Sequence, residues 1–215
     1  MSFTKKHHAT LLFSLLFSSG LLLGMEKKYI GIGQLQKDSF NLAKKIYTKS
    51  KEENALPTFL IVLWRGGAPV GIAVEEYFSY MGETIENHFP VRVSAYNQKN
   101  QLKKKVTVFD SESIFELLNS NDRLLIVDDV VDSGSSIEAL LKRIKEVCGE
   151  NTPKQIKVAA VYYKPKKSSI IPDYYVYETD QWIVFPHELI GLTPEEIEKN
   201  KGLDASLFTE WTEPQ

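Results

Sequence analysis

The chain has 215 residues, 43% of them hydrophobic and 25% charged, which is enough apolar content for one globular domain of ordinary size. Lys and Arg number 26 against 28 Asp and Glu, and a formal net charge of −2 excludes the overall basic field of a nucleic-acid binder. The lone Cys148 excludes an intramolecular disulfide and a cysteine-based metal cluster, so a reducing compartment is the simpler expectation.

The N-terminal stretch KKHHATLLFSLLFSSGLLLGM sets a basic start before a mostly apolar run, the shape of a signal peptide. Three readings stand side by side: a cleaved secretion signal, a short membrane anchor, or an upstream extension with Met25 as the working start. The run is short for a bilayer span of roughly 20 residues. Membrane contact is expected only if this segment is retained, and a cytoplasmic location otherwise. Residues 1–24 are therefore set apart as a signal-like or non-native extension, with a domain expected over 25–190 and a C-terminal tail over 191–215.

From Gln34 to Lys51, Leu35, Phe40, Ala43 and Ile46 recur at helical intervals and predict an amphipathic helix. LPTFLIVLW predicts a buried strand, and RGGAPVGIAVEEYFSYMG a glycine turn leading into a helix that Gly82 ends. HFPVRVSAY reads as a second strand, and the lysine-rich NQKNQLKKKVTVFD as a loop or hairpin. SIFELLNS is a short helix, RLLIVDD a buried strand, and SSIEALLKRIKEV a helix with Ile137, Leu140, Leu141 and Ile144 on one face. IKVAAVYYK is the next buried strand. After Lys164, PKKSSIIPDYYVYETDQWIVFPHELIGL is rich in aromatics and proline, which suits a small subdomain or lid more than another strand-helix unit. A last helix is expected to be capped by Thr193 with Pro194 at its first position. Unbroken apolar strands alternating with helices predict an α/β, doubly wound, mostly parallel sheet covered on both faces.

In such sheets ligands bind beyond the carboxyl ends of the strands, and Asp128, Asp129 and Asp132 are expected there. SGSS follows at once and opens a helix, whose free N–H groups and hydroxyls can cradle a phosphate. A single Ser or Asp here would do no more than cap the helix, yet capping does not need three acids. Acids beside a phosphate repel it unless something intervenes. Vicinal ribose hydroxyls can donate to carboxylates, and Mg²⁺ bridges carboxylates to pyrophosphate. The turn therefore suits a ribose phosphate that also carries metal-bound pyrophosphate. WRGGAP is by itself a plain turn, but it sets a guanidinium beside two glycines that let backbone approach a polyanion.

LLIVDDVVDSGSS resembles the phosphoribosyl-pyrophosphate signature of type I phosphoribosyltransferases: an apolar strand, two acids, two apolar residues, Asp, Thr or Ser, Gly and a closing Ser or Thr. The resemblance implies that Asp128 and Asp129 hold the ribose hydroxyls, directly or through Mg²⁺. It gives Ser133, Gly134, Ser135 and Ser136 to the 5-phosphate, and turns Asp132 toward the imidazole side of the base as the candidate catalytic residue. Ser133 stands where the family more often has Thr. RGG resembles the family's pyrophosphate loop, which assigns Arg65, Gly66 and Gly67 there. The family often has a cis peptide just before this Arg, and Trp64 is bulkier than the small residue usual at that place in the enterobacterial type.

YYKP, PDYYVYETDQWIVFPHE and EKKYIGIGQLQKDSFNLAKKIY are similar to xanthine-guanine phosphoribosyltransferases and their hypoxanthine-using relatives, a likeness running from about Met25 to Leu189. It implies that Lys164 donates to the six-position oxygen of a purine, that Trp182 stacks on its face, and that backbone at Ile183 reads the ring edge. Taken alone, Lys164 reads equally as a surface lysine and Trp182 as a core aromatic. His187 replaces a common Trp and is expected at the rim of the base pocket. SAYNQKNQLKKK falls where the family has a mobile hood, making Ser94, Tyr96, Lys103, Lys104 and Lys105 partners for pyrophosphate or loop closure, or simply a solvated loop. The implied whole is a doubly wound sheet with a small hood and base-binding subdomain. Its implied activity is that of an Mg²⁺-dependent purine phosphoribosyltransferase using phosphoribosyl pyrophosphate and xanthine, guanine or hypoxanthine, as a homodimer or homotetramer. A regulator that senses phosphoribosyl pyrophosphate without turnover, and a non-purine enzyme of the same fold, are the other readings of this pocket.

Overall fold

Phe59–Trp64 is an unbroken apolar run, and such a strand is stable only with both of its faces covered. In the structure, a computed structural model that describes residues 27–96, 105–109 and 111–208, that covering organises the chain. The elements in order are β1 (Lys27–Tyr29), α1 (Ile32–Glu52), β2 (Phe59–Trp64), α2 (Ala68–Tyr80), β3 (Asn87–Tyr96), β4 (Lys105–Val108) and α3 (Glu112–Phe115). There follow β5 (Arg123–Val131), α4 (Ser135–Cys148), β6 (Gln155–Tyr163), β7 (Tyr174–Glu178), β8 (Trp182–Val184) and α5 (Pro194–Lys201).

Six strands make the main sheet in the order β4-β3-β2-β5-β6-β7, and only β4 runs antiparallel to its neighbour. The sheet order jumps from β2 to β5, so β2 and β5 lie side by side and end together. One apolar cluster fills the face under α1 and α2, with Leu42, Ile46, Val74 and Phe78 against Leu60 and Val127. A second fills the other face, with Phe115, Ile137, Leu140 and Ile144 against Ile61 and Ile126. The fold is therefore α/β and doubly wound. Leu141 is only partly buried, at the margin of its helix's inner face.

The first helix differs from its expected face. Leu35, Ala43 and Ile46 are buried, but Phe40 is 37% exposed and Leu42 lies inside. Phe40 is five residues from Leu35, about 140° around a helix of 3.6 residues per turn, which turns it outward. Asp38 and Ser39 occupy the inner face instead, and both are satisfied there. Asp38 accepts from Gln34 Nε2 at 2.8 Å, Tyr177 Oη at 3.0 Å and Tyr162 Oη at 3.4 Å, while Ser39 Oγ donates to the Leu35 carbonyl at 2.7 Å.

The aromatic segment after Lys164 is also split differently from the expected single subdomain. Its first half, β7, extends the main sheet beside β6, with Ala159 opposite Tyr174. Its second half, β8, pairs in parallel with β1 at the opposite end of the sequence, with Lys28 opposite Ile183. Helix α5 closes this two-stranded sheet. Val184, Leu192 and Ile197 form its apolar cluster, and Lys27 Nζ and Tyr29 Oη each donate to Glu196 Oε1 at 2.8 Å. Thr193 caps the helix as expected: its hydroxyl accepts from the Glu196 N–H at 3.2 Å, and the Thr193 N–H donates to Glu196 Oε2 at 3.1 Å. Among the described residues no helix is long and apolar enough to cross a membrane.

The Lys27 ammonium outweighs the cost of burial and, with the Thr193 N–H and Tyr29, holds the Glu196 carboxyl below the usual range. A depressed carboxyl stabilises the fold above its unfolded value, and that contribution fades as pH falls through the depressed one. Replacing Thr193 with Ala is expected to cost about 1 kcal/mol in denaturant unfolding. An unchanged midpoint would show that the cap does not hold α5 in place.

Candidate active site

The ends of β2 and β5 supply the two loops that face each other. After β2 the chain turns through Arg65–Gly67, and the Trp64–Arg65 peptide is cis, the feature expected from the family likeness. The turn is tight: the Gly67 N–H donates to the Leu63 carbonyl at 3.0 Å, and the Ala68 N–H to the Arg65 carbonyl at 3.1 Å. A Cβ on Gly67 would lie 2.7 Å from the Val127 carbonyl and 2.8 Å from that of Leu63, so only glycine lets this turn lie against β5. A Cβ on Gly66 would overlap the Asp129 carboxylate. The two glycines thus make room for the acids as well as for any ligand.

Strand β5 runs longer than RLLIVDD suggested. Its ladder with β6 continues to Val131 opposite Tyr163, so Asp128 and Asp129 lie within the strand, as expected, and Val130 and Val131 extend it. Asp129 is 6% exposed. Asp128 Oδ1 accepts the Asp129 N–H at 3.0 Å, and burial together with the neighbouring Asp129 charge pushes the Asp128 carboxyl well above its usual range. Sharing a strand end places both acids in a low-dielectric setting where two negative charges oppose each other.

Asp132 lies in a different setting. Lys167 Nζ is 2.6 Å from its Oδ1 and Lys164 Nζ 3.3 Å from its Oδ2. Burial alone would raise this carboxyl, but the two ammoniums override it and hold the group below the usual carboxylate range. Lys164 is 9% exposed and its N–H donates to the Val131 carbonyl at 3.0 Å, so it is a buried lysine and not a surface one. Lys167 was not singled out in the sequence, where PKK reads as a solvated run. A turn in which the Lys167 N–H donates to the Lys164 carbonyl at 3.1 Å brings it in.

The serine turn is ordered from both sides. Ser133 Oγ lies 2.9 Å from Ser135 Oγ and accepts the Ser135 N–H at 3.3 Å, and Gly134 has φ +82° at the start of α4. The 168–170 loop packs against it, with the Ser169 N–H donating to the Ser133 carbonyl at 3.1 Å and Ser169 Oγ 2.7 Å from Glu138 Oε1. Ser168, Ser169 and Glu138 are further residues that motif reading passed over.

A cleft of about 610 Å³ opens between these loops, walled by Arg65, Gly66, Asp128, Asp129, Ser136 and His187. Ser94 of β3 also lines it, as do Arg92 and Glu188, which the sequence gave no reason to choose. His187, expected at the rim of a base pocket, reaches Asp129 instead, with Nε2 3.3 Å from Oδ2. Trp182 is not in this cleft. It packs, partly buried, with Tyr29 and Leu189 against the α5 cluster, and lines a smaller cavity of about 100 Å³ that shares Arg65, Glu188 and Ile190 with the cleft. The structure therefore does not bring Trp182 together with Lys164 in one cavity. The Ile183 side chain is buried, and its backbone pairs with Lys28. Tyr96 and Lys105 pair through their backbones in the β3–β4 hairpin, while Lys103 and Lys104 lie outside the described residues.

The family model for the phosphoribosyl transferase domain matches residues 32–189, most of the chain and both loops of the cleft. The chain belongs to the phosphoribosyltransferase family. This phosphoribosyltransferase is 24% identical over 167 residues to the hypoxanthine-guanine phosphoribosyltransferase of Canis lupus familiaris, a match that covers 74% of the chain and 72% of that protein. Among solved structures it resembles a purine phosphoribosyltransferase from Pyrococcus horikoshii Ot3, with a TM-score of 0.60 and 27% identity over 79% of this chain and 98% of that one. The Helicobacter pylori xanthine-guanine-hypoxanthine phosphoribosyltransferase shares the fold, with a TM-score of 0.57 at 20% identity over 74% of this chain and 92% of that one. The mostly parallel sheet flanked by helices is the type I fold.

Gly134 tests the serine turn directly. A Cβ there would lie 2.9 Å from Ser169 Oγ, on a left-handed backbone that disfavours side chains. Replacing it with Ala is expected to cost about 1–2 kcal/mol of unfolding free energy. A midpoint equal to that of the unaltered protein would mean the turn relaxes without loss.

Proposed function

We propose that the protein transfers the 5-phosphoribosyl group from phosphoribosyl pyrophosphate to a 6-oxopurine, releasing pyrophosphate and forming the nucleoside 5-monophosphate. The observation that carries this reading is the buried Lys164 beside Asp132, at the end of a strand that leads through paired acids into the serine turn. Lys is a donor only, so its ammonium matches a purine oxo group and not an amino group. Relatives whose names specify hypoxanthine, guanine and xanthine support the same substrate class.

Each group then has one task. The N–H groups and hydroxyls of Ser133, Gly134, Ser135 and Ser136, at the positive end of α4, take the 5-phosphate. Asp128 and Asp129 accept from the ribose hydroxyls. Arg65 and the amides of Gly66 and Gly67 receive the pyrophosphate, helped by Ser94, Tyr96 and Lys103 to Lys105. With both substrates held, a ring nitrogen of the base attacks the anomeric carbon as the bond to pyrophosphate breaks. Catalysis comes from positioning and from neutralising the leaving group. Asp132, kept as a carboxylate by its two lysines, accepts a hydrogen bond from the imidazole N–H of the base and takes that proton as the new bond forms, leaving the base neutral in the product. The backbone around Ile183 is left to read the ring edge.

The acid pair fits Mg²⁺. Asp128 and Asp129 are oxygen donors whose mutual repulsion a cation relieves, and no cluster of three or more ligating side chains occurs among the described residues. Mg²⁺ takes one or two carboxylates and completes its shell with water and substrate phosphates. When bound, it would supply charge neutralisation for the pyrophosphate.

The deciding measurement is nucleotide formation from hypoxanthine, guanine and xanthine with phosphoribosyl pyrophosphate and Mg²⁺. Product from at least one base is expected, and none from any of the three would refute the reading. Chelating the metal should abolish turnover. Asp132→Asn is expected to lower kcat/KM roughly a hundredfold, and wild-type activity would remove Asp132 from its assigned role. The lysines depress the Asp132 carboxyl, so the charged form persists as pH falls below the ordinary aspartate range. The acid limb of kcat/KM should therefore lie at low pH and move upward in Lys167→Ala; a limb that stays put would contradict the pairing.

A further inference from the structure

We infer that His187 is a positioning residue that holds the Asp129 carboxylate in place for the ribose of phosphoribosyl pyrophosphate, an inference that rests on the assignment of Asp129 to the sugar. The imidazole reaches the acid from a separate part of the chain, the turn that follows β8. That turn is closed on itself: the Phe185 N–H donates to Glu188 Oε2 at 3.0 Å, and the Glu188 N–H to the Phe185 carbonyl at 3.0 Å. Lys201 Nζ also donates to the Phe185 carbonyl. The ring plane of His187 is set by parallel stacking on Phe185, with centroids 5.6 Å apart and planes 6° apart. Phe185 is itself 2% exposed and packs edge-on against Tyr162 in the core. His187 is thus held by the core on one side and delivers Nε2 to within 3.3 Å of Asp129 Oδ2 on the other.

Asp129 needs such a partner. Its carboxylate lies across the Gly66 backbone, and its neighbour Asp128 repels it. Among the described residues, His187 is the one basic side chain within ion-pair distance of it. At 3.3 Å, Nε2 is close enough to Oδ2 to limit how that carboxylate turns, and so the direction in which it meets a ligand in the cleft. The contact lies beside the sugar and pyrophosphate groups, away from Lys164. It should therefore tune affinity for phosphoribosyl pyrophosphate and leave recognition of the base alone.

Two substitutions separate this from a packing role. His187→Phe keeps a ring to stack on Phe185 and removes the nitrogen, whereas His187→Gln keeps an N–H donor at similar reach and gives up the stack. His187→Phe is expected to raise KM for phosphoribosyl pyrophosphate by about three- to tenfold, the scale of a partly exposed polar contact, with KM for the purine unchanged. His187→Gln should recover most of that loss. The inference is overturned if His187→Phe has a wild-type KM for phosphoribosyl pyrophosphate, if both KM values rise together, or if His187→Gln is as impaired as His187→Phe. A wild-type protein that forms no nucleotide sinks the underlying functional reading; a wild-type protein that turns over beside an unaffected His187→Phe sinks this inference alone.

Discussion

Two adjacent carboxylates at the end of a strand buried on both faces are the constraint around which the site is built. Asp129 is buried and Asp128 half-buried, and each sits in the field of the other, so the Asp128 carboxyl is driven upward. The surroundings accommodate this by geometry more than by charge. Gly66 leaves the space a side chain would fill, Gly67 lets the β2–α2 turn close against the Val127 carbonyl, and His187 comes from beyond β8 to touch Asp129. A pair of carboxylates set this close is suited to a cation, whose charge relieves their mutual repulsion.

The third acid is treated in the opposite way. Asp132 is only three residues from the pair, yet Lys164 and Lys167 both reach it and its carboxyl is held low. Within one short turn, therefore, the chain keeps one carboxylate poised to gain positive charge and another already balanced. The difference comes from neighbours and not from the residue type, since the acids are all aspartates. It also sets the acids apart in place: Asp128 and Asp129 line the cleft, whereas Asp132 sits against Lys164 and Lys167.

What could be read in the sequence was what repeats locally or is fixed by a compact motif. Apolar runs gave the strands of the main sheet, the spacing of Ile137, Leu140 and Ile144 gave a helix face, and Thr193-Pro194 gave a cap. LLIVDDVVDSGSS gave the family because it compresses a whole site into one turn. Misreadings arose where distant parts of the chain decide. Phe40 has the hydrophobicity of a core residue, but Asp38 holds the inner face through Tyr162 and Tyr177, which lie far along the chain. β5 runs past the acids to Val131 because β6 continues to pair with it. Trp182 is displaced from the cleft by packing with Tyr29 and Leu189 against the α5 cluster, which no local pattern encodes. Arg92, Lys167 and the aim of His187 lacked any motif, since each depends on which loops the sheet order sets side by side.

The pairing of β1 with β8 has a consequence for how the molecule is made. These strands join an early and a late segment of the described residues in a parallel arrangement, and closing so long a loop costs chain entropy before any contact offsets it. On a ribosome the main sheet can assemble as it emerges, but the turn carrying Phe185, His187 and Glu188 has nothing to dock on until β8 is out, nor a clasp from Glu196 onto Lys27 and Tyr29 until α5 follows. The acid pair is thus completed late in synthesis. The side chain that touches Asp129 is therefore among the last to reach its place, well after the strand that carries the acids has emerged.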